Sequence, residues 1–133
     1  FRDKDERRLD DDLEALAHAV IGAAIEVHRH MGPGLPENSY RDALCHEFDL
    51  RGIAHRREVP IDIAYKRKCV GKGRIDILVG EILILELKVV EQLTPLHRAQ
   101  AISYLRITKL QLALLINFNV EVLKAGIKRV INA

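Results

Sequence analysis

Ile82-Leu83-Ile84-Leu85-Glu86-Leu87-Lys88-Val89-Val90 is the stretch on which the reading of this chain turns. It is an apolar run with two charges in its middle, bounded by Gly80-Glu81 and by Glu91-Gln92, and it predicts a buried strand. An ionised carboxylate leaves water at high cost unless it is paired, hydrogen-bonded or bound to a metal. Side chains alternate along a strand, so Glu86 and Lys88 are expected on one face, roughly 6–7 Å apart. Considered alone, the pair also fits a salt bridge on a half-exposed strand.

The segment just upstream changes the weighing. Gly73 to Val79 reads as another strand, and it carries a second acid, Asp76, among Ile75, Ile77, Leu78 and Val79. Alternation predicts Ile75, Ile77 and Val79 on one face and Arg74, Asp76 and Leu78 on the other. The short connection at Gly80-Glu81 makes the two strands antiparallel neighbours. Asp76 and Glu86 then oppose each other on one face if paired residue numbers add to 162, which a three-residue loop at 80–82 provides. A register one residue shorter sends them to opposite faces. Two carboxylates side by side repel, and a divalent cation with a taste for oxygen ligands, Mg²⁺ or Mn²⁺, resolves the repulsion. Two acids, a cation and a lysine are the parts needed for attack of water on a phosphodiester. Should the two acids face apart, an ordinary ion-pair network remains.

The remaining chain supplies a frame for these strands. Residues 1–12 are dominated by charge and read as an arm or a helix start, with Asp10, Asp11 and Asp12 as cap and first-turn acids. Residues 13–133 read as a single domain. Leu13, Leu16, Ala17, Val20, Ala24, Val27 and Met31 form the apolar stripe of a long helix, which Gly32-Pro33-Gly34 ends. A second helix is expected from Pro36, with Tyr40, Leu44 and Phe48 on one side and Gly52 past its end. Val59, Ile61, Ile63 and Tyr65 alternate as a half-buried strand, placed toward a sheet edge by Pro60. Lys66 to Lys72 is read as a turn. Thr94-Pro95 opens a helix to about Ile107, carrying Gln100 and Tyr104 on one side. Leu110 to Ile116 is a buried strand, and 127–131 fits either a strand or a helical tail.

Composition narrows the function. At 133 residues, 48% hydrophobic and 30% charged, the chain suits one globular soluble domain. Its longest apolar runs fall short of a membrane span. Two cysteines, Cys45 and Cys69, stand in no metal or redox spacing, which fits a reducing, cytoplasmic setting. No His-Glu-x-x-His is present, which argues against a zinc protease. The net charge of +2 is small, but Lys66, Arg67, Lys68, Lys72 and Arg74 crowd one segment. They are candidates to hold phosphates, with Arg98 beside them; lysines that guard a hairpin against edge pairing are the alternative.

Asp76, then Glu86-x-Lys88, resembles the core of the PD-(D/E)xK nuclease superfamily. The α-α-β-β-β-α-β order fits its restriction-endonuclease-like αβββαβ core, an α/β (α+β) fold with a mixed central sheet flanked by helices. Gly34-Leu35-Pro36-Glu37-Asn38-Ser39-Tyr40 is further similar to the GxxExxY branch, as are Ile21 to His28, Leu93 to His97 and Leu114 to Phe118. The resemblance implies that Asp76 and Glu86 bind Mg²⁺ or Mn²⁺ with the backbone carbonyl of Leu87, and that Lys88 acts on the attacking water. It implies an accessory acid in Glu37 and a helix face, Gln100 and Tyr104, leaning over the site. Ile75 stands where the superfamily name has proline. The implied activity is metal-dependent hydrolysis of nucleic acid. A catalytically silent module of the same fold, binding nucleic acid or a protein, is the alternative. So small a surface also fits a homodimer, in which two copies grip a duplex.

Overall fold

The computed structural model describes residues 10–132. The charged segment 1–9, expected as an arm or helix start, lies outside them. The chain runs α1 (Asp11–Met31), α2 (Glu37–Arg51), β1 (His55–Tyr65), β2 (Lys68–Val79), β3 (Leu83–Lys88), α3 (Pro95–Thr108), β4 (Leu112–Asn117), a 3-10 turn (Leu123–Gly126) and β5 (Ile127–Ile131). The undecided segment at 127–131 is therefore a strand. The five strands lie in the order β1-β2-β3-β4-β5. Only β3 and β4 run parallel, joined by the α3 crossover; the other neighbours are antiparallel.

The helix ends follow local chemistry. The Asp10 carboxylate accepts the Asp12 N–H at 2.7 Å and caps α1. Thr94 and His97 exchange hydrogen bonds at the start of α3, with Pro95 just inside. Gly52 ends α2 at φ 71°, the left-handed conformation that glycine adopts freely. Gly34, at φ 96°, turns the chain between α1 and α2. The buried Tyr40 hydroxyl donates to the Gly32 carbonyl and accepts the Leu35 N–H at 3.1 Å, and its ring stacks on Phe118 with 4.6 Å between centroids. The Gly34-x-x-Glu37-x-x-Tyr40 pattern is thus a device that fixes how α2 enters, with Glu37 in its first turn.

Two cores cover the sheet. Under α1 and α2 lie Ile77, Val79, Leu83, Leu85, Leu87, Leu114 and Ile116. Under α3 lie Val59, Ile75, Leu78, Ile84, Leu115 and Val130. Ile84 and Leu85 thus face opposite ways, as the period of two requires.

The strand bounds correct three expectations. The expected turn at 66–72 is only Lys66-Arg67, with φ of 48° and 71°, the two-residue hairpin turn in which both central residues are left-handed. Lys68 to Lys72 therefore belong to β2, which starts five residues before the expected Gly73. Ile75 packs under α3 and not with Ile77 and Val79. The strand changes face at Asp76, opposite Glu58, where the β1–β2 ladder skips a pair and Glu58 adopts φ 51°.

Candidate metal and phosphodiester site

The β2–β3 connection is the three-residue loop Gly80-Glu81-Ile82, and the pairs Ile77–Leu85, Leu78–Ile84 and Val79–Leu83 all add to 162. Gly80 and Glu81 take φ of 58° and 63° to make the turn. Continued by one residue, this register sets Asp76 against Glu86. There the ladder stops. β2 continues beside β1 alone, while Glu86, Leu87 and Lys88 pair only with Leu115, Ile116 and Asn117 of β4. The sheet forks, and the two acids sit in the fork.

Opening a ladder leaves backbone N–H groups without partners inside a protein, which is costly. The carboxylates take those places. Glu86 Oε2 accepts the Asp76 N–H at 3.1 Å, and Asp76 Oδ2 accepts the Leu87 N–H at 2.8 Å. Each acid is thus anchored by the other's strand through one oxygen. N–H and C=O of one strand residue point the same way, so the Leu87 carbonyl also faces the fork. Burial, foremost, and then the Asp76 charge push the Glu86 carboxyl up to about 8; Glu86 is only 3% exposed. Burial likewise raises Asp76, opposed by the Leu87 N–H and reinforced by the charge of Glu37.

Lys88 lies one pleat beyond Glu86 on the α3 side, and its Nζ donates to Gln100 Oε1 at 3.3 Å. The backbone beyond it is clamped by buried Asn117, whose amide accepts the Val90 N–H at 3.1 Å and donates to the Val90 carbonyl at 2.8 Å. Phe118 N–H donates to the Lys88 carbonyl at 3.0 Å. Tyr104 goes elsewhere than the lysine: its hydroxyl accepts the Arg74 N–H at 3.3 Å and rests above Gly73, where an added Cβ would lie 3.0 Å from the hydroxyl oxygen. Glu37 is bound by Arg41 at 3.1 Å. Of the histidines, His28 bonds the Val120 carbonyl at 2.7 Å and His97 serves the α3 cap.

Arg41 was not apparent from sequence. It is buried on α2, pairs with Glu37 and, at 3.6 Å, with Glu58, and its charge lowers Asp76, while its Nε lacks a partner among the described residues. The signal for it was an arginine on the apolar side of a helix, next to Tyr40 and one turn after Glu37. Among the phosphate candidates, Lys72 is paired with Asp62, and Arg74 with Glu58 at 3.3 Å. Lys66, Arg67, Lys68 and Arg98 are exposed and form no ion pair among the described residues.

The donor set suits one kind of ion. Among the described residues no group of three or more His, Cys, Asp or Glu side chains is disposed to hold a metal. What the fork offers is two carboxylates, each with one oxygen outside these hydrogen bonds, and a backbone carbonyl. Mg²⁺ is commonly held by one or two carboxylates, with water and substrate phosphate completing its shell. Soft-ligand sites for zinc or copper need His or Cys that this fork lacks. The raised carboxyls are the electrostatic counterpart: a cation between two buried like charges favours their ionising together.

A mixed sheet opened over two carboxylates, with a lysine beside them and helices on both faces, defines an α+β domain of nuclease type. Comparison with protein families agrees: the profile of the PD-(D/E)XK nuclease superfamily matches residues 14–130. The chain belongs to that superfamily, and its fold is restriction-endonuclease-like. Nucleases of this superfamily are generally dependent on divalent metal. No curated protein and no solved structure matches the chain. Among the described residues no helix is long and apolar enough to cross a membrane.

Proposed function

We propose that this chain is a Mg²⁺-dependent nuclease of the GxxExxY branch, formed by one domain over residues 13–133, that hydrolyses phosphodiester bonds of nucleic acid. The observation that carries the reading is the fork, where Asp76 and Glu86 are anchored by each other's strand with an oxygen of each left over. Asp76, Glu86 and the Leu87 carbonyl hold the ion, Mg²⁺ or Mn²⁺. When bound, a divalent cation supplies Lewis-acid chemistry to the phosphoryl group and the attacking water. Lys88, steadied by Gln100, orients that water and offsets the negative charge developing on the phosphate. Glu37, tied back by Arg41, acts on the site through water. Tyr104 holds β2 in place under the substrate. Lys66, Arg67 and Lys68 on the hairpin, with Lys72 and Arg74 along it and Arg98 on α3, meet phosphates. The free thiols of buried Cys45 and exposed Cys69 fit a reducing, cytoplasmic compartment, and a homodimer would let two forks address a duplex.

Cleavage of plasmid and single-stranded substrates in Mg²⁺ or Mn²⁺ tests the reading. Glu86→Ala and Lys88→Ala are expected to abolish cutting; parental rates in either variant overturn the mechanism. The burial of both acids, which disfavours the ionised forms that a metal needs, favours one second reading, a catalytically silent module that binds nucleic acid or a protein partner. It predicts no turnover and no rise in melting temperature on adding Mg²⁺, whereas an ion that prefers the folded state raises it.

A further inference from the structure

β5 lies two strands away from the fork and takes no part in it, yet the register carries a line of side chains from one to the other. Glu86 pairs with Leu115 across β3–β4, and Leu115 with Lys128 across β4–β5. All three point to the α3 side, because Ile84, Leu115 and Val130, which share their parities, pack together there. Adjacent strands are ~4.8 Å apart, so the Lys128 Cα stands about 10 Å from that of Glu86. The neighbouring Arg129 points the other way and is bound to Glu14 of α1 at 2.9 Å.

Above this line a cleft of about 370 Å³ opens between the first turn of α3 and β5. Leu93, Pro95, Leu115 and Val130 give it an apolar lining, Thr94, Arg98, Lys128 and Arg129 a polar one, and no acidic residue is among them. Neither Arg98 nor Lys128 forms an ion pair among the described residues. The volume is at the small end of that of ligand clefts, ~300–1,000 Å³, too small for a duplex and sufficient for one nucleotide. Against ~3.4 Å of axial rise per nucleotide in a duplex strand, and more in an extended unpaired one, a separation of about 10 Å places the cleft within roughly three nucleotides of the fork.

We propose that this cleft is a nucleotide subsite: it seats a nucleotide flanking the scissile bond, its base against Leu93, Pro95, Leu115 and Val130 and its phosphate between Arg98 and Lys128. The inference rests on the nuclease reading for the cleavage beside the subsite, but not for binding itself. The apolar lining offers a base no hydrogen bond, and the Thr94 hydroxyl is engaged by the His97 N–H, so the subsite adds affinity and direction with little sequence preference. It also favours a substrate strand whose bases are unpaired near the cut, since a paired base has no free face to offer.

Binding in EDTA tests this without turnover. Adenosine 5′-monophosphate titrated into the isotope-labelled chain is expected to move the backbone amides of Leu115, Lys128 and Val130. The Arg98→Glu/Lys128→Glu double variant, both of whose sites are on the surface, is expected to lose those shifts, and Arg98→Lys/Lys128→Arg to keep them. Inorganic phosphate alone is expected to move Lys128 but not Leu115 or Val130. With a labelled thymidine octanucleotide, the double variant is expected to lower the slope of log affinity against log salt by roughly 0.7, the share of one neutralised phosphate on a single strand. Shifts confined to the hairpin, binding unchanged by the double variant, or phosphate reproducing every shift would each overturn the proposal. Failure of the nuclease reading looks different: Glu86→Ala would cut like the parent while the nucleotide still bound in the cleft.

Discussion

Over Ile77 to Val79, β2 and β3 are paired through their backbones and bury apolar side chains on both faces. One residue further, at Asp76 and Glu86, the same two strands have let go of each other and their amides are held by carboxylates. The closed half is stabilised by burial and sets the register; the open half uses that register to hold charge that burial disfavours. The contrast teaches that a sheet brings acids into its interior where it stops being a sheet, because an opened ladder provides the donors that anchor them.

The contrast is broken most sharply through activity. Glu86→Ala or Lys88→Ala is expected to cut cleavage by at least ~10²–10⁴-fold, the range for losing a charge-stabilising or proton-handling group. The change is read as initial rates in Mg²⁺, with circular dichroism unchanged. Leu85→Ala, in the closed half, is expected to do the reverse. It should cost about 2–5 kcal/mol in urea unfolding by leaving a cavity in the main core, with the cleavage rate of the folded fraction retained.

The third test uses pH. The folded state holds the Glu86 proton up to about 8, whereas the unfolded chain releases it near 4.5. Between those values the folded state binds the extra proton, so stability falls as pH rises. Metal-free protein is therefore expected to lose melting temperature from pH 4.5 toward 8, and Glu86→Gln to flatten that decline. Mg²⁺ is expected to raise melting temperature more at pH 8 than at pH 5, since its ligands must be ionised to bind it. The smallest effect belongs to Tyr104→Phe, which removes one hydrogen bond to the Arg74 N–H. It is expected to cost about 1 kcal/mol of stability and to leave the cleavage pH profile unmoved.

The register was narrowed to two by loop length, and the structure takes the three-residue loop Gly80-Glu81-Ile82 that sets Asp76 against Glu86. The caps at Asp10, Thr94 and Gly52 were legible because their chemistry is local. That Asp76 and Glu86 would meet was legible in the candidate site, since charge in an apolar strand demands a partner. What sequence concealed were conformations that it does not advertise. Glu58, Lys66 and Arg67 adopt left-handed backbone without being glycine, so the change of face at Asp76 and the tightness of the hairpin turn left no mark in the pattern. Gly73 looked like the start of a strand and is instead the seat of Tyr104. Arg41 was hidden because its partners, Glu37 and Glu58, come from a helix turn and a distant strand that meet only when the chain is folded.

The tight turn at Lys66-Arg67 has a consequence of its own. Asp76 lies eight residue steps along β2 from Lys68, which places the turn roughly 25 Å from the fork along a paired ribbon. A foreign domain spliced between Lys66 and Arg67 would ride on that ribbon as on a lever, far enough out to leave the acids undisturbed. The turn is a ready graft point for joining the proposed nuclease to a domain that gives it an address on its target.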